Sequence, residues 1–128
     1  MKKLLFVLIT AGLLAIGAVR AADATAPKTV IHIITVAWKK GTTPEQIQSA
    51  LDGAQKLPQA YKGIVRVWTK ALKIQDAPGA EIKKANVIVM EFADQGALKA
   101  YADSEAQKKW YELYLPIREQ STTFDVTN

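Results

Sequence analysis

The 128 residues include 17 Lys and Arg against 12 Asp and Glu, one histidine and no cysteine, with a net charge of +5. Without cysteine there is no disulfide, no thiolate nucleophile and no lipid-anchored N-terminal cysteine. The basic residues form no stripe interleaved with aromatics (Lys39-Lys40 and Lys108-Lys109 are isolated pairs), so nucleic-acid binding is unsupported.

The chain opens on the basic Met1-Lys2-Lys3. Residues 4–19 form an apolar run broken only by Thr10, Gly12 and Gly17, and Val19-Arg20-Ala21 offers small side chains suited to cleavage. This is the layout of a secretory signal peptide. The run has sixteen residues, fewer than the roughly 20 that span a bilayer. The expectation is a signal peptide over 1–21, a flexible polar tail over 22–28 and one domain over 29–128. The product would be periplasmic or secreted, with no stable membrane association after cleavage. Removing Lys2, Lys3 and Arg20 from the 17 bases leaves 14 against 12 acids, a net charge of +2 on about 107 residues. That length supports one hydrophobic core and not two.

Residues 29–40, T-V-I-H-I-I-T-V-A-W-K-K, are rich in the β-branched and aromatic types that suit a strand, and Gly41 ends it. Both parities are apolar, so both faces need cover. The only histidine, His32, sits mid-strand. Thr43-Pro44-Glu45-Gln46 then reads as a capped helix start with a capping box, and Ile47, Ala50, Leu51 and Ala54 form its apolar stripe. Pro58 is expected to end that helix. A second strand follows over 64–74, half exposed by its Arg66, Lys70 and Lys73, and residues 76–84 with Pro78-Gly79 read as a loop. Residues 86–92 are a third strand, apolar on both parities and so expected beside the first. Asp94 caps a helix through Tyr101 whose inward stripe is Ala97, Leu98 and Tyr101. Ser104-Glu105-Ala106-Gln107 reads as a fresh capping box opening a further segment with Trp110, Leu113, Tyr114 and Ile117 inward. Residues 122–126 read as a short last strand.

The order strand, helix, strand, strand, helix, strand predicts an α+β fold, a ferredoxin-like βαββαβ antiparallel sheet with its helices on one face. The bare face is too apolar for water. Two such sheets packed face to face would bury it, so a homodimer is expected.

Taken alone, the residues offer little chemistry. No Ser-His-Asp motif, phosphate-binding glycine loop or metal-ligand spacing is present, and one histidine without a second ligand argues against haem. No cofactor and no metal are expected. His32 reads either as a core histidine satisfied by a polar neighbour or as a ligand-contacting or acid–base group, and Tyr101 reads most simply as a helix residue packing its ring on the sheet. Gln107 and Trp110 are candidate cavity residues, and each also reads simply as a helix cap and a core ring respectively.

Several short pieces, in order and spacing together, resemble the stress-responsive α/β-barrel (Dabb) family of dimeric α+β barrels. They are Ile31-His32-Ile33-Ile34, Lys40-Gly41-Thr42, Glu91-Phe92, Tyr101, Leu115-Pro116-Ile117 and Phe124-Asp125. The resemblance implies that His32 points into a barrel cavity with Ile34 and Asn86 nearby. It implies further that Tyr101 matches the tyrosine which acts with a histidine in the family's plant polyketide cyclases. The family's Tyr-x-x-His-Pro-x-His reads here Tyr101-Ala102-Asp103-Ser104-Glu105-Ala106-Gln107, so the place of the cyclase base falls on Gln107, which takes up no proton near neutral pH. Two readings follow. One is an exported homodimeric module holding a small apolar or aromatic molecule in its barrel. The other is a cofactor-independent, cyclase- or lyase-like enzyme using His32 and Tyr101.

Overall fold

The computed structural model describes residues 28–73, 75 and 84–127. The expected signal peptide, nearly all of the N-terminal tail and most of the expected 76–84 loop lie outside the described residues. The elements run β1 (Val30–Trp38), α1 (Pro44–Gln55), α2 (Leu57–Ala60), β2 (Ile64–Ala71), β3 (Asn86–Phe92), α3 (Gln95–Tyr101), α4 (Glu105–Tyr114) and β4 (Arg118–Val126). The strands form one antiparallel sheet in the order β2-β3-β1-β4. The ferredoxin-like expectation holds, and the two strands that are apolar on both parities are the central pair.

Local chemistry sets the helix ends. Thr43 Oγ1 accepts from the Gln46 N–H at 3.3 Å while the Gln46 side chain accepts from the Thr43 N–H at 2.9 Å, a complete capping box. Gly41, at φ 85°, makes the left-handed turn between β1 and this cap. The backbone N–H of Lys56 closes α1 on Asp52 O at 3.1 Å, before Pro58. Pro58 therefore does not terminate α1. It occupies the first turn of α2, where a missing N–H costs no hydrogen bond.

Two strand boundaries also differ from expectation. β2 ends at Ala71, short of residue 74, with one further backbone bond from Leu72 N to Ala85 O at 2.8 Å. β4 begins at Arg118, not at residue 122. Its Glu119-Gln120-Ser121 stretch has poor strand propensity, but β1 supplies a ladder of partners that overrides it, with a register shift between Ala37 and Trp38.

All helices cover one face of the sheet. Val30, Ile34 and Val36 of β1 and Ile88, Met90 and Phe92 of β3 meet Leu51, Ala54, Leu57, Tyr101, Trp110 and Tyr114 in one core. Trp110 Nε1 donates to Ala50 O at 2.9 Å, tying α4 to α1, and its ring stacks on Tyr114 at 4.5 Å. Gly53 makes that approach possible, because a Cβ there would meet Trp110 and Leu113 at 3.2 and 3.1 Å. Leu113, expected inside, is 45% exposed at the edge of this contact.

The opposite face carries the other parity. Ile33 stands across from Val89 on one side and Phe124 on the other, and Trp68 stands across from Val89. Trp68, Phe124 and Val126 are 36%, 48% and 57% exposed. The buried Glu91 is held there by Arg66. No helix among the described residues is long and apolar enough to cross a membrane.

Candidate functional site

A recess of about 200 Å³ lies between the sheet and the helices α3 and α4. His32 enters it from β1. Asp125 stands directly opposite on β4, and the two side chains point to the same face. His32 Nδ1 and Asp125 Oδ1 are 2.5 Å apart. In the neutral ring this bond places the proton on Nδ1, donated to the carboxylate, and leaves Nε2 with a lone pair. The His32 ring also meets the Phe92 ring edge-on at 5.9 Å.

Tyr101 closes α3 and packs on the same Phe92 ring at 5.3 Å. The neighbouring Tyr61 hydroxyl donates to Ala97 O at 2.8 Å and so is not directed at Tyr101. Among the described residues the Tyr101 hydroxyl has no hydrogen-bond partner although it is buried. Burial, with a smaller contribution from Tyr111, pushes this phenol far above the ordinary tyrosine range. At neutral pH it is a hydrogen-bond donor and not a base.

Gln107 lines the recess from the first turn of α4. Only half of the expected capping box forms there. Ser104 Oγ accepts from the Gln107 N–H at 3.2 Å, but the Ser104 N–H bonds back to Tyr101 O at 3.0 Å. The Gln107 amide is thus released from capping and is available to the recess. Tyr114, two turns further along the same face of α4, has a second buried hydroxyl without a hydrogen-bond partner in good geometry among the described residues. Burial raises this phenol too, opposed in part by Ser121 and Arg118 beside it.

The sequence-derived candidates therefore divide. His32, Ile34, Tyr101 and Gln107 line one recess. Asn86 and Trp110 do not. Asn86 Oδ1 accepts from Trp38 Nε1 at 2.8 Å near the far end of β3, and Trp110 belongs to the α1–α4 contact. Asn86 is excluded because it flanks Val36 on the β3 side, whereas the recess follows the β4 side, where Ser121 stands across from the same Val36. Sequence reasoning passed over Asp125, Tyr114, Arg118 and Ser121 as site residues. The alternation along 121–125 could have placed Ser121, Thr123 and Asp125 on one face, but Arg118 lay before the expected start of the last strand. No cluster of three or more metal-capable side chains occurs among the described residues.

The model of the stress responsive A/B barrel domain matches residues 30–128. The chain belongs to the stress responsive A/B barrel (Dabb) family. No curated protein matches the sequence. Among solved structures, a Dabb family protein with a ferredoxin-like fold from Mesorhizobium loti is 22% identical with TM-score 0.62, covering 78% of this chain and 96% of its own. The hydroxynitrile lyase of Passiflora edulis is 14% identical with TM-score 0.65, covering 78% and 93%. A dimeric ferredoxin-like protein of unknown function from Thermobifida fusca is 17% identical with TM-score 0.63, covering 80% and 93%. At these identities the shared property is the Dabb fold.

Proposed function

We propose that this Dabb domain is an exported, homodimeric module that holds a small apolar or aromatic molecule in the recess between its sheet and helices. The observation that carries the reading is the buried Tyr101 hydroxyl, which lines the recess without a partner among the described residues, with the buried Tyr114 hydroxyl in the same recess beside Ser121 and Arg118. An unpaired buried hydroxyl costs roughly 1–3 kcal/mol, and a bound acceptor would remove that cost. Homodimer formation is supported by the exposed apolar sheet face and by the Thermobifida fusca relative, which is dimeric. Export rests on the leader-like residues 1–21. The test is native mass spectrometry of the chain purified from the periplasm. It should begin at Ala22, run at twice the monomer mass and carry an organic ligand that Tyr101→Phe/Tyr114→Phe releases. A wild-type protein that carries no adduct beyond its own polypeptide mass and binds an apolar dye no better than the double variant would defeat the reading.

One observation favours a second, catalytic reading. His32 held by Asp125 at 2.5 Å is a positioned imidazole, and the neutral Tyr101 donor shares its recess. In that reading His32 Nε2 would take a proton from a carbon or hydroxyl next to a carbonyl, and Tyr101 would donate to the carbonyl oxygen as charge develops. Gln107, standing where the family's cyclases carry a base, could orient the substrate but not accept the proton. The fold hosts enzymes, among them the hydroxynitrile lyase of Passiflora edulis and SnoaB, a cofactor-independent oxygenase from Streptomyces nogalater.

A further inference from the structure

The recess has two polar ends, and they differ chemically. Asp125 lies across from His32 and Ser121 across from Val36, four residues further along β1. At about 3.3 Å per residue this places the ends roughly 13 Å apart along the strand. On α4, Gln107, Tyr111 and Tyr114 follow the same line at i, i+4 and i+7. His32, Tyr101 and Gln107 make one end, and Tyr114, Ser121 and Arg118 make the other. Ile34 and Tyr111 lie between.

The second end is made of donors. The Arg118 guanidinium sits 5.7 Å from the centre of the Tyr114 ring, and one of its N–H groups reaches Ser121 Oγ at 3.3 Å. No carboxylate pairs with Arg118 among the described residues, and Asp125, the carboxylate beside the recess, is bonded to His32 at the other end. The Tyr114 hydroxyl beside it is buried and unpartnered. A partly buried guanidinium without a carboxylate and a buried phenol beside it form a cluster of donors suited to an anionic acceptor. The two coplanar oxygens of a carboxylate match the guanidinium fork. The volume, about 200 Å³, is somewhat larger than the roughly 150 Å³ that encloses a benzene ring, so it admits one ring with small substituents.

We propose that the recess binds a small aromatic monocarboxylate, its carboxylate held by Arg118 and Tyr114 and a hydroxyl or carbonyl substituent meeting His32 and Tyr101 at the other end. This rests on the small-molecule reading above and deepens it by naming the ligand class. Arg118 sets the sign of the ligand's charge, and the His32 end reads its second polar group.

The experiment titrates the mature chain with 4-hydroxybenzoate and, in parallel, with 4-hydroxybenzyl alcohol, which keeps the ring and hydroxyl but carries no charge. Calorimetry gives affinity, and NMR follows the His32 and tyrosine ring resonances. The carboxylate should bind tighter by roughly ten- to a hundredfold, the range for a charge-assisted hydrogen bond. Arg118→Met should bring its affinity down to that of the alcohol, and Arg118→Lys should retain part of the difference. If Arg118→Met fails to fold, Arg118→Lys and the salt dependence of the wild type still decide the matter, because a contact that depends on charge must weaken in both. Equal affinity for the two compounds overturns the ligand class, and a carboxylate preference that survives Arg118→Met overturns the assignment of the carboxylate to Arg118, while either result leaves the small-molecule reading intact. If neither compound moves the recess resonances, the ligand class is also wrong, even where a co-purified molecule upholds the broader reading.

Discussion

Asp125 Oδ1 lies 2.5 Å from His32 Nδ1, directly across the β1–β4 register. The bond is partly exposed, with the Asp125 side chain 41% accessible, so its contribution to stability is small, within about 1 kcal/mol. Its effect should lie in orientation. Asp125→Ala should leave the melting temperature within a few degrees of wild type while the imidazole loses its single tautomer. Nitrogen NMR of the His32 ring measures this. An unchanged tautomer ratio in Asp125→Ala would mean that the carboxylate does not direct the histidine.

A second prediction concerns alkali. The folded Tyr101 and Tyr114 phenols titrate above their unfolded values because burial disfavours the phenolate. For a group whose folded pKa is raised, the associated stability is complete below the unfolded pKa, about 10, and declines as pH rises past it. Thermal melts should therefore be flat from neutral pH to about 9 and fall steeply above 10. Tyr101→Phe should flatten that fall. At neutral pH the same substitution removes a hydroxyl that has no partner, so it should be neutral or stabilising by up to about 1 kcal/mol while weakening ligand binding. A destabilised Tyr101→Phe at neutral pH would reveal a partner for the hydroxyl in the ligand-free protein.

The bare sheet face makes the third prediction. Ile33 and Phe124 are cross-strand neighbours there, and Phe124 is 48% exposed in a single chain. A dimer brings four such side chains together, and with each already partly covered they contribute roughly 3–6 kcal/mol to association, before the cost of immobilising the partners. The mature chain should sediment as a dimer at micromolar concentration, and Phe124→Lys should shift it toward monomer without loss of secondary structure. A dimer of unchanged affinity in Phe124→Lys would place the interface elsewhere.

Much of this architecture was legible in the residues. Two strands apolar on both parities had to be central and doubly covered, and residues 30–38 and 86–92 are the adjacent middle strands. Thr43, Asp94 and Ser104 announced their helices because a capping oxygen acts within three residues of itself. The candidate site was legible only in part, because it depends on register. His32 and Tyr101 could be singled out by type, but Asp125 becomes the partner of His32 only through the pairing of strands 93 residues apart in sequence. Arg118 was missed for a related reason. Its strand is stabilised by a ladder with β1 and not by its own propensity. Gln107 was read as completing a capping box, yet the backbone of Ser104 turned to Tyr101 and left its amide for the recess.

Asn86 and Trp110 provide the last prediction, because each was a candidate cavity residue and each is placed outside the recess. Asn86 Oδ1 accepts the Trp38 indole N–H at 2.8 Å in a partly buried site. Asn86→Ala leaves that N–H without its partner and should cost about 1 kcal/mol. Asn86→Asp keeps an acceptor and should cost less. Trp110 stacks on Tyr114 and bonds Ala50 O, so Trp110→Ala should cost about 3–5 kcal/mol, and Trp110→Phe should recover most of the packing while leaving the Ala50 carbonyl without its indole donor. Denaturant unfolding supplies these stabilities. Ligand affinity separates the two residues from the recess: Asn86→Ala should leave it unchanged, whereas His32→Ala and Tyr101→Phe should lower it. Trp110→Phe tests the boundary more sharply, since Tyr114 touches both Trp110 and the recess. A loss of affinity in Trp110→Phe without a matching loss in Asn86→Ala would show that the α4 aromatic stack positions the Tyr114 hydroxyl. Equal losses in both would mean that the recess reaches the far end of β3.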